Sequence, residues 1–227
     1  MQDNPTDLTI PLGRMRNPVR GFMDGIAAVA SVAGLVTLAV LTFGDLIRFV
    51  AVGVFGFSLI ALYTTSTLYH TVPWSISWRH RMQRLDHSMI YLLVAGSWTP
   101  LAAVVLDGLW RIAVLGIVWG IALIGIAQKI VWPHVRLWFS ITLQTVMGYF
   151  ALVPLLELVR RLSGGAIALM FTSGALYTIG LALFTMRRPR LFPRLFSYHE
   201  VFHIFVIAAS MLHFVLIVRY VVPYPAA

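Results

Sequence analysis

Three histidines, a carboxylate and a hydroxyl stand out in a chain that is otherwise very apolar: Ser66, His70, Asp86, His199 and His203. Ser66 and His70 share an i, i+4 spacing, as do His199 and His203, and residues so spaced lie on one face of a helix. Two imidazoles at that spacing can bind one metal ion from a single helix. His70 could supply a third nitrogen from another helix. Three histidines plus a water form the donor set of a catalytic zinc site, which keeps one position open. Asp86 could hold or deprotonate that water, whose pKa falls to about 7 on zinc. Ser66 could hydrogen-bond a substrate. Imidazole ligands also suit Cu, Fe and Ni. The chain has no cysteine, so thiolate sites and disulfides are excluded.

The elements that must position these groups are membrane helices. Of the 227 residues, 59% are hydrophobic and only 11% charged, and the mean hydropathy is +0.86. A soluble domain carries about 25% charged residues. A membrane helix needs about 20 mostly apolar residues. Seven stretches without Asp, Glu, Lys or Arg meet that need: Gly25–Gly44, Phe49–Tyr69, His87–Leu106, Ile112–Gln128, Leu137–Leu156, Leu162–Met186 and Val201–Val218. The expected fold is all-α and integral to the membrane. A seven-transmembrane-helix bundle occupies residues 23–222, between a polar N-terminal tail over 1–22 and a short C-terminal tail over 223–227. The tail has no apolar core, so it is not a cleavable signal peptide.

Basic residues set the direction. Arg14, Arg16, Arg20, Arg79, Arg81, Arg84, Lys129, Arg136, Arg187, Arg188, Arg190 and Arg194 fall on one side. Arg48, Arg111, Arg160, Arg161 and Arg219 fall on the other. The positive-inside rule then makes the N-terminus cytoplasmic and the C-terminus external. This topology places the last turn of the second span and the first turns of the third and seventh at one cytoplasmic face. All five polar residues lie there. Topology also explains the net charge of +9, and no nucleic-acid-binding motif is present. Trp74, Trp78, Trp110, Trp132 and Trp138 suit an interfacial aromatic belt.

Other polar groups have simpler readings. His213 lies about 15 Å along the helix from His203 at 1.5 Å per residue, and is expected to make a helix–helix hydrogen bond. His80 and His134 read as solvated loop residues, and His87 should point away from Asp86. Asp24 reads as a cap on the first helix, since carboxylates suit helix N-termini. His199-Glu200-Val201-Phe202-His203 matches the metalloprotease pattern H-E-x-x-H. No acidic residue follows Glu200, however, and His213 has the wrong spacing for the extended motif. Glu200 is expected to face solvent. Gly96, Gly116, Gly120, Gly125 and Gly148 are expected to let helices approach closely.

The segments STLYH at 66–70, RLDHSMIYLLVAGSWTP at 84–100 and HEVFHIFVIAASMLHF at 199–214 resemble the hemolysin III family, the bacterial branch of the progestin and adipoQ receptor (PAQR) superfamily. The resemblance covers nearly the whole chain. It implies a seven-helix bundle in the bacterial inner membrane with zinc near the cytoplasmic face. It also implies that His70, His199 and His203 are ligands, that Asp86 lies near the zinc-bound water, and that Ser66 is a polar neighbour. Related membrane proteins include alkaline ceramidases, so the implied chemistry is hydrolysis of a lipid amide.

Three functions follow from these readings. The first is a zinc-dependent hydrolase acting on a lipid amide or ester, with Asp86 and Ser66 as its catalytic side chains. The second is a regulator or sensor of membrane lipid homeostasis with structural zinc. The third is a pore-forming hemolysin (cytolysis), for which no span shows a regular polar stripe. The expected partner is a membrane lipid, as substrate or ligand. Nothing in the sequence fixes an oligomeric state.

Overall fold

The computed structural model describes residues 17–131, 137–192 and 196–225. Eight α-helices follow in order: α1 (Pro18–Leu41), α2 (Leu46–Thr71), α3 (Ile76–Pro100), α4 (Gly108–Val131), α5 (Leu137–Tyr149), α6 (Leu155–Arg161), α7 (Gly164–Met186) and α8 (Tyr198–Leu216). Among the described residues no strand forms; Phe192 and Phe196 make one isolated bridge.

Among the described residues, six helical stretches are long and apolar enough to cross a membrane. They are Pro18–Leu41, Leu46–Thr71, Ile76–Val105, Gly108–Val131, Gly164–Met186 and Tyr198–Val221. The stretch expected to form a fifth span, Leu137–Leu156, is broken. α5 has 13 residues, or about 20 Å at 1.5 Å per residue, against a hydrocarbon core of about 30 Å. A 3-10 turn over Phe150–Leu152 follows, and Pro154 caps α6. Proline lacks the N–H that would carry α5 onward.

The third span also differs from expectation. α3 starts at Ile76, so Arg79, His80, Arg81 and Arg84 are helical rather than loop residues. Exposed His80 is therefore on a helix. Beyond Pro100 the backbone widens into a π-helical turn over Leu101–Val105. A proline inside a helix frees carbonyls one turn back. The imidazole of His213 approaches one carbonyl in this region: its Nε2 donates to the Ser97 carbonyl at 3.1 Å. That is the helix–helix bond expected of His213.

Consecutive helices α1 to α4 pack side by side, α7 packs on α8, and α8 returns to contact α1. Tyr91, Phe55, Leu38 and Trp98 fill the interior, while Ile26, Val29, Val36 and Phe57 face outward, as a lipid-facing surface requires. Two of the five flagged glycines act as close-packing points. A methyl at Gly125 would sit 2.5 Å from Tyr91 Cε1, and one at Gly96 would strike Ser58. Gly116, Gly120 and Gly148 have open space in that direction, so the packing reading fails for these three.

At the bundle end far from His70, charged groups tie loops to helices. Arg48 donates to the carbonyls of Val222 (3.1 Å) and Tyr224 (2.5 Å). Arg161 bonds Asp107, the Val105 carbonyl (3.2 Å) and Glu157 (2.6 Å). Asp107 is held below the ordinary carboxylate value, chiefly by the hydrogen bond from Arg161, with the charges of Arg161 and Arg111 adding. A depressed pKa contributes stability that is present above the unfolded value of about 3.9 and is lost as pH falls through the folded value. The melting temperature of Asp107→Asn should therefore lie below wild type at pH 7, and the gap should narrow progressively as the pH falls below about 4. A gap that persists undiminished to pH 3 would contradict this role for Asp107.

Candidate metal centre

The last turn of α2 carries Ser66 and His70, both buried. The first two turns of α8 carry His199 and His203. A capping box fixes where α8 starts: Ser197 and Glu200 each bond the other's backbone, and the Ser197 N–H donates to Glu200 Oε2 at 2.7 Å. This S-x-x-E arrangement satisfies two otherwise orphaned donors. It sets His199 in the first turn and His203 one turn on.

The three imidazoles converge. One ligand nitrogen from each of His70, His199 and His203 lies within 4.8 Å of the others. The ring centroids are 5.3 Å (His70–His199), 5.2 Å (His70–His203) and 5.1 Å (His199–His203) apart. Zn–N bonds of about 2.0–2.1 Å put tetrahedral ligand nitrogens roughly 3.3 Å apart, a spacing that falls inside the 4.8 Å within which these nitrogens lie. The donor chemistry fits a divalent transition metal: three imidazoles from two helices, a ligand type that suits such ions.

A carboxylate stands behind this group. Asp24 of α1 is fully buried. Its oxygens lie 3.0 and 2.9 Å from His203 Nδ1, and Oδ2 accepts from Ser66 Oγ at 2.7 Å. The carboxylate thus engages Nδ1 of His203, which leaves Nε2 as the ring nitrogen available to a metal. Asp86 of α3 is partly exposed. It lies within electrostatic range of His203 and Asp24 and within hydrogen-bond reach of Ser66. His70, His199, His203, Ser66 and Asp86 thus meet at one end of the bundle.

The cap expected at Asp24 is not there. α1 starts with Pro18 and has Asn17 at its N-cap, so Asp24 sits well inside the helix. Pro18 is a start signal in the sequence, because proline suits the first helical position. Reading it would have left an unexplained carboxylate inside a span. Glu200 does not face solvent either. It is buried and accepts from Arg20 Nε at 2.6 Å, with both side chains 5% exposed. Arg20, assigned above to the basic tail, is a buried residue of α1. The Asn17 N–H also donates to the His70 carbonyl at 3.0 Å, so the start of α1 holds the end of α2. His87 is partly buried. His134 lies outside the described residues. A further cluster lies deeper: Tyr63 Oη donates to Ser210 Oγ at 2.9 Å, and Tyr177 Oη lies 2.9 Å from the same oxygen.

Removing one partner of a buried pair costs about 3–5 kcal/mol, because the other charge is left uncompensated. Glu200→Ala should therefore lower the thermal unfolding temperature in detergent strongly. The double variant Arg20→Met/Glu200→Leu should recover most of the loss. A single variant as stable as wild type would show that the pair contributes nothing.

Comparison with known proteins agrees with the helical architecture. The family model described as Haemolysin-III related matches residues 13–214. The chain is 30% identical over 203 residues to the Hemolysin-3 homolog of Bacillus subtilis (strain 168), covering 88% of this chain and 92% of that protein. It is 32% identical over 205 residues to Hemolysin-3 of Bacillus cereus, covering 88% and 89%. With its apolar helices of spanning length, the chain is a multi-pass membrane protein and belongs to the haemolysin-III related family.

Proposed function

We propose that this protein is a zinc-dependent hydrolase that cleaves an amide or ester bond of a membrane lipid at the His70–His199–His203 centre. The observation that carries the reading is the convergence of three imidazoles from two helices beside the partly exposed carboxylate of Asp86. A structural zinc site is closed by four protein ligands, whereas a catalytic site keeps three and an open position. Three ligands therefore favour turnover over a purely structural ion. When bound, zinc supplies Lewis acidity toward a carbonyl and lowers the pKa of water.

The chain's own residues supply the rest. His70, His199 and His203 hold the ion. Asp86 accepts a proton from the attacking water and returns it to the leaving amine or alkoxide. Ser66 lies between Asp24 and Asp86 and orients polar groups at the site. A lipid enters sideways between helices, so its chains stay in the bilayer while its head reaches the centre. In the same reading the chain crosses the membrane seven times, with α5 and the residues after it making the fifth crossing. The N-terminus is cytoplasmic and the C-terminus external, following the distribution of Arg and Lys. The bacterial inner membrane fits this arrangement.

The test pairs metal content with turnover on a panel of lipid amides and esters. Wild type should carry about one zinc per chain. His203→Ala should lose both metal and turnover. Asp86→Asn should keep the metal and lose turnover by about 10²–10⁴-fold, the usual contribution of a general acid–base group. A well-folded wild type that takes up no metal would overturn the reading. So would full turnover by Asp86→Asn.

A further inference from the structure

The hydrolysis reading gives Asp24 no part, yet it is a fully buried carboxylate with two polar partners. Such a group is costly unless it is satisfied. We propose that Asp24 is the positioning residue of the metal centre, holding His203 in the tautomer and orientation that aim Nε2 at the ion. The proposal rests on the metal-site reading and adds an outer carboxylate to it.

Three observations support the assignment. The first is direction. His203 Nδ1 lies 2.9 Å from Asp24 Oδ2, so the carboxylate engages Nδ1 and Nε2 is the ring nitrogen left for an ion. Metal-bound histidines commonly donate their second ring N–H to a carboxylate, which fixes the ring and raises its basicity. The second is that Asp24 is itself held, since Ser66 Oγ donates to Oδ2 at 2.7 Å. The chain of contacts runs from α2 to α1 to α8.

The third is register. Arg20 and Asp24 are one turn apart on α1, and Glu200 and His203 are one turn apart on α8. The pairs form two rungs, Arg20–Glu200 at 2.6 Å and Asp24–His203 at 2.9 Å. Charge alternates along each helix: positive then negative on α1, negative then imidazole on α8. Shifting or rotating α8 by one residue would break both rungs. The face of α8 that carries His199 and His203 is thereby turned toward His70. Asp24 orients the ring within that register.

The test is zinc affinity by competition with a chromophoric chelator, together with the visible absorption of the cobalt(II)-substituted protein. Both are measured on the full-length chain in detergent. Asp24→Asn and Asp24→Ala should bind zinc about 10–100-fold more weakly, the usual effect of losing such an outer partner, and should change the cobalt spectrum. His213→Ala is the comparison variant. It loses the buried bond to Ser97 ten residues along α8, and should keep wild-type affinity and spectrum. If the Asp24 variants do not fold, Ser66→Ala still tests the idea, because it leaves the carboxylate but removes a bond that holds it. It should weaken zinc binding by about 2–10-fold, the worth of one hydrogen bond.

Unchanged affinity and spectrum in a folded Asp24 variant would overturn the assignment while leaving the metal site standing. Unchanged affinity in Ser66→Ala, were it the only folded variant, would do the same. Equal losses in Asp24→Asn and His213→Ala would reduce the effect to general loosening, and also overturn it. A wild type that binds no zinc would overturn the metal-site reading and this proposal together.

Discussion

A carboxylate inside a membrane helix is expensive, and the arrangement of this bundle end depends on how that expense is met. Asp24 and Glu200 are both buried. One is satisfied by His203 and Ser66, the other by Arg20 and the Ser197 backbone. These partners come from α1, α2 and the start of α8. Satisfying the two carboxylates therefore assembles the three elements, and the assembly leaves His70, His199 and His203 facing one another. The stability of this end and the geometry of the centre share the same contacts.

The rest of the fold supports that junction in a different way. Helix association in lipid relies on close packing and scattered polar contacts rather than on expulsion of water. Gly125 against Tyr91 and Gly96 against Ser58 bring α4 to α3 and α3 to α2. His213 bonds Ser97 where Pro100 disturbs α3, which ties α8 to α3 at mid-depth. At the opposite end Arg48 and Arg161 hold loop carbonyls and carboxylates. α8 is thus held to its neighbours at several points along its length, its first turns by the Arg20–Glu200 and Asp24–His203 contacts.

Much of this could be read from residue types and spacing. The i, i+4 pairs and the apolar stretches between charges place the three histidines at one bundle end, because helical periodicity is a local property. What escaped was set by helix limits. Pro18 starts α1 early enough to move Asp24 from a cap into the interior, and Ile76 starts α3 early enough to make His80 helical. Pro154 divides a stretch that composition alone reads as continuous. The destiny of Glu200 escaped for another reason: its partner Arg20 is 180 residues away in the chain, and the pairing of distant charges depends on packing that periodicity does not encode. Glycines show the same limit. Gly125 and Gly116 are alike in sequence context, and only the neighbour helix distinguishes them.

X-ray absorption at the zinc edge of the loaded protein reads the claimed donor set directly. The account predicts a four-coordinate ion with three imidazole nitrogens at about 2.0–2.1 Å and one oxygen. A shell with fewer than three imidazoles, or one built from oxygens alone, would contradict it.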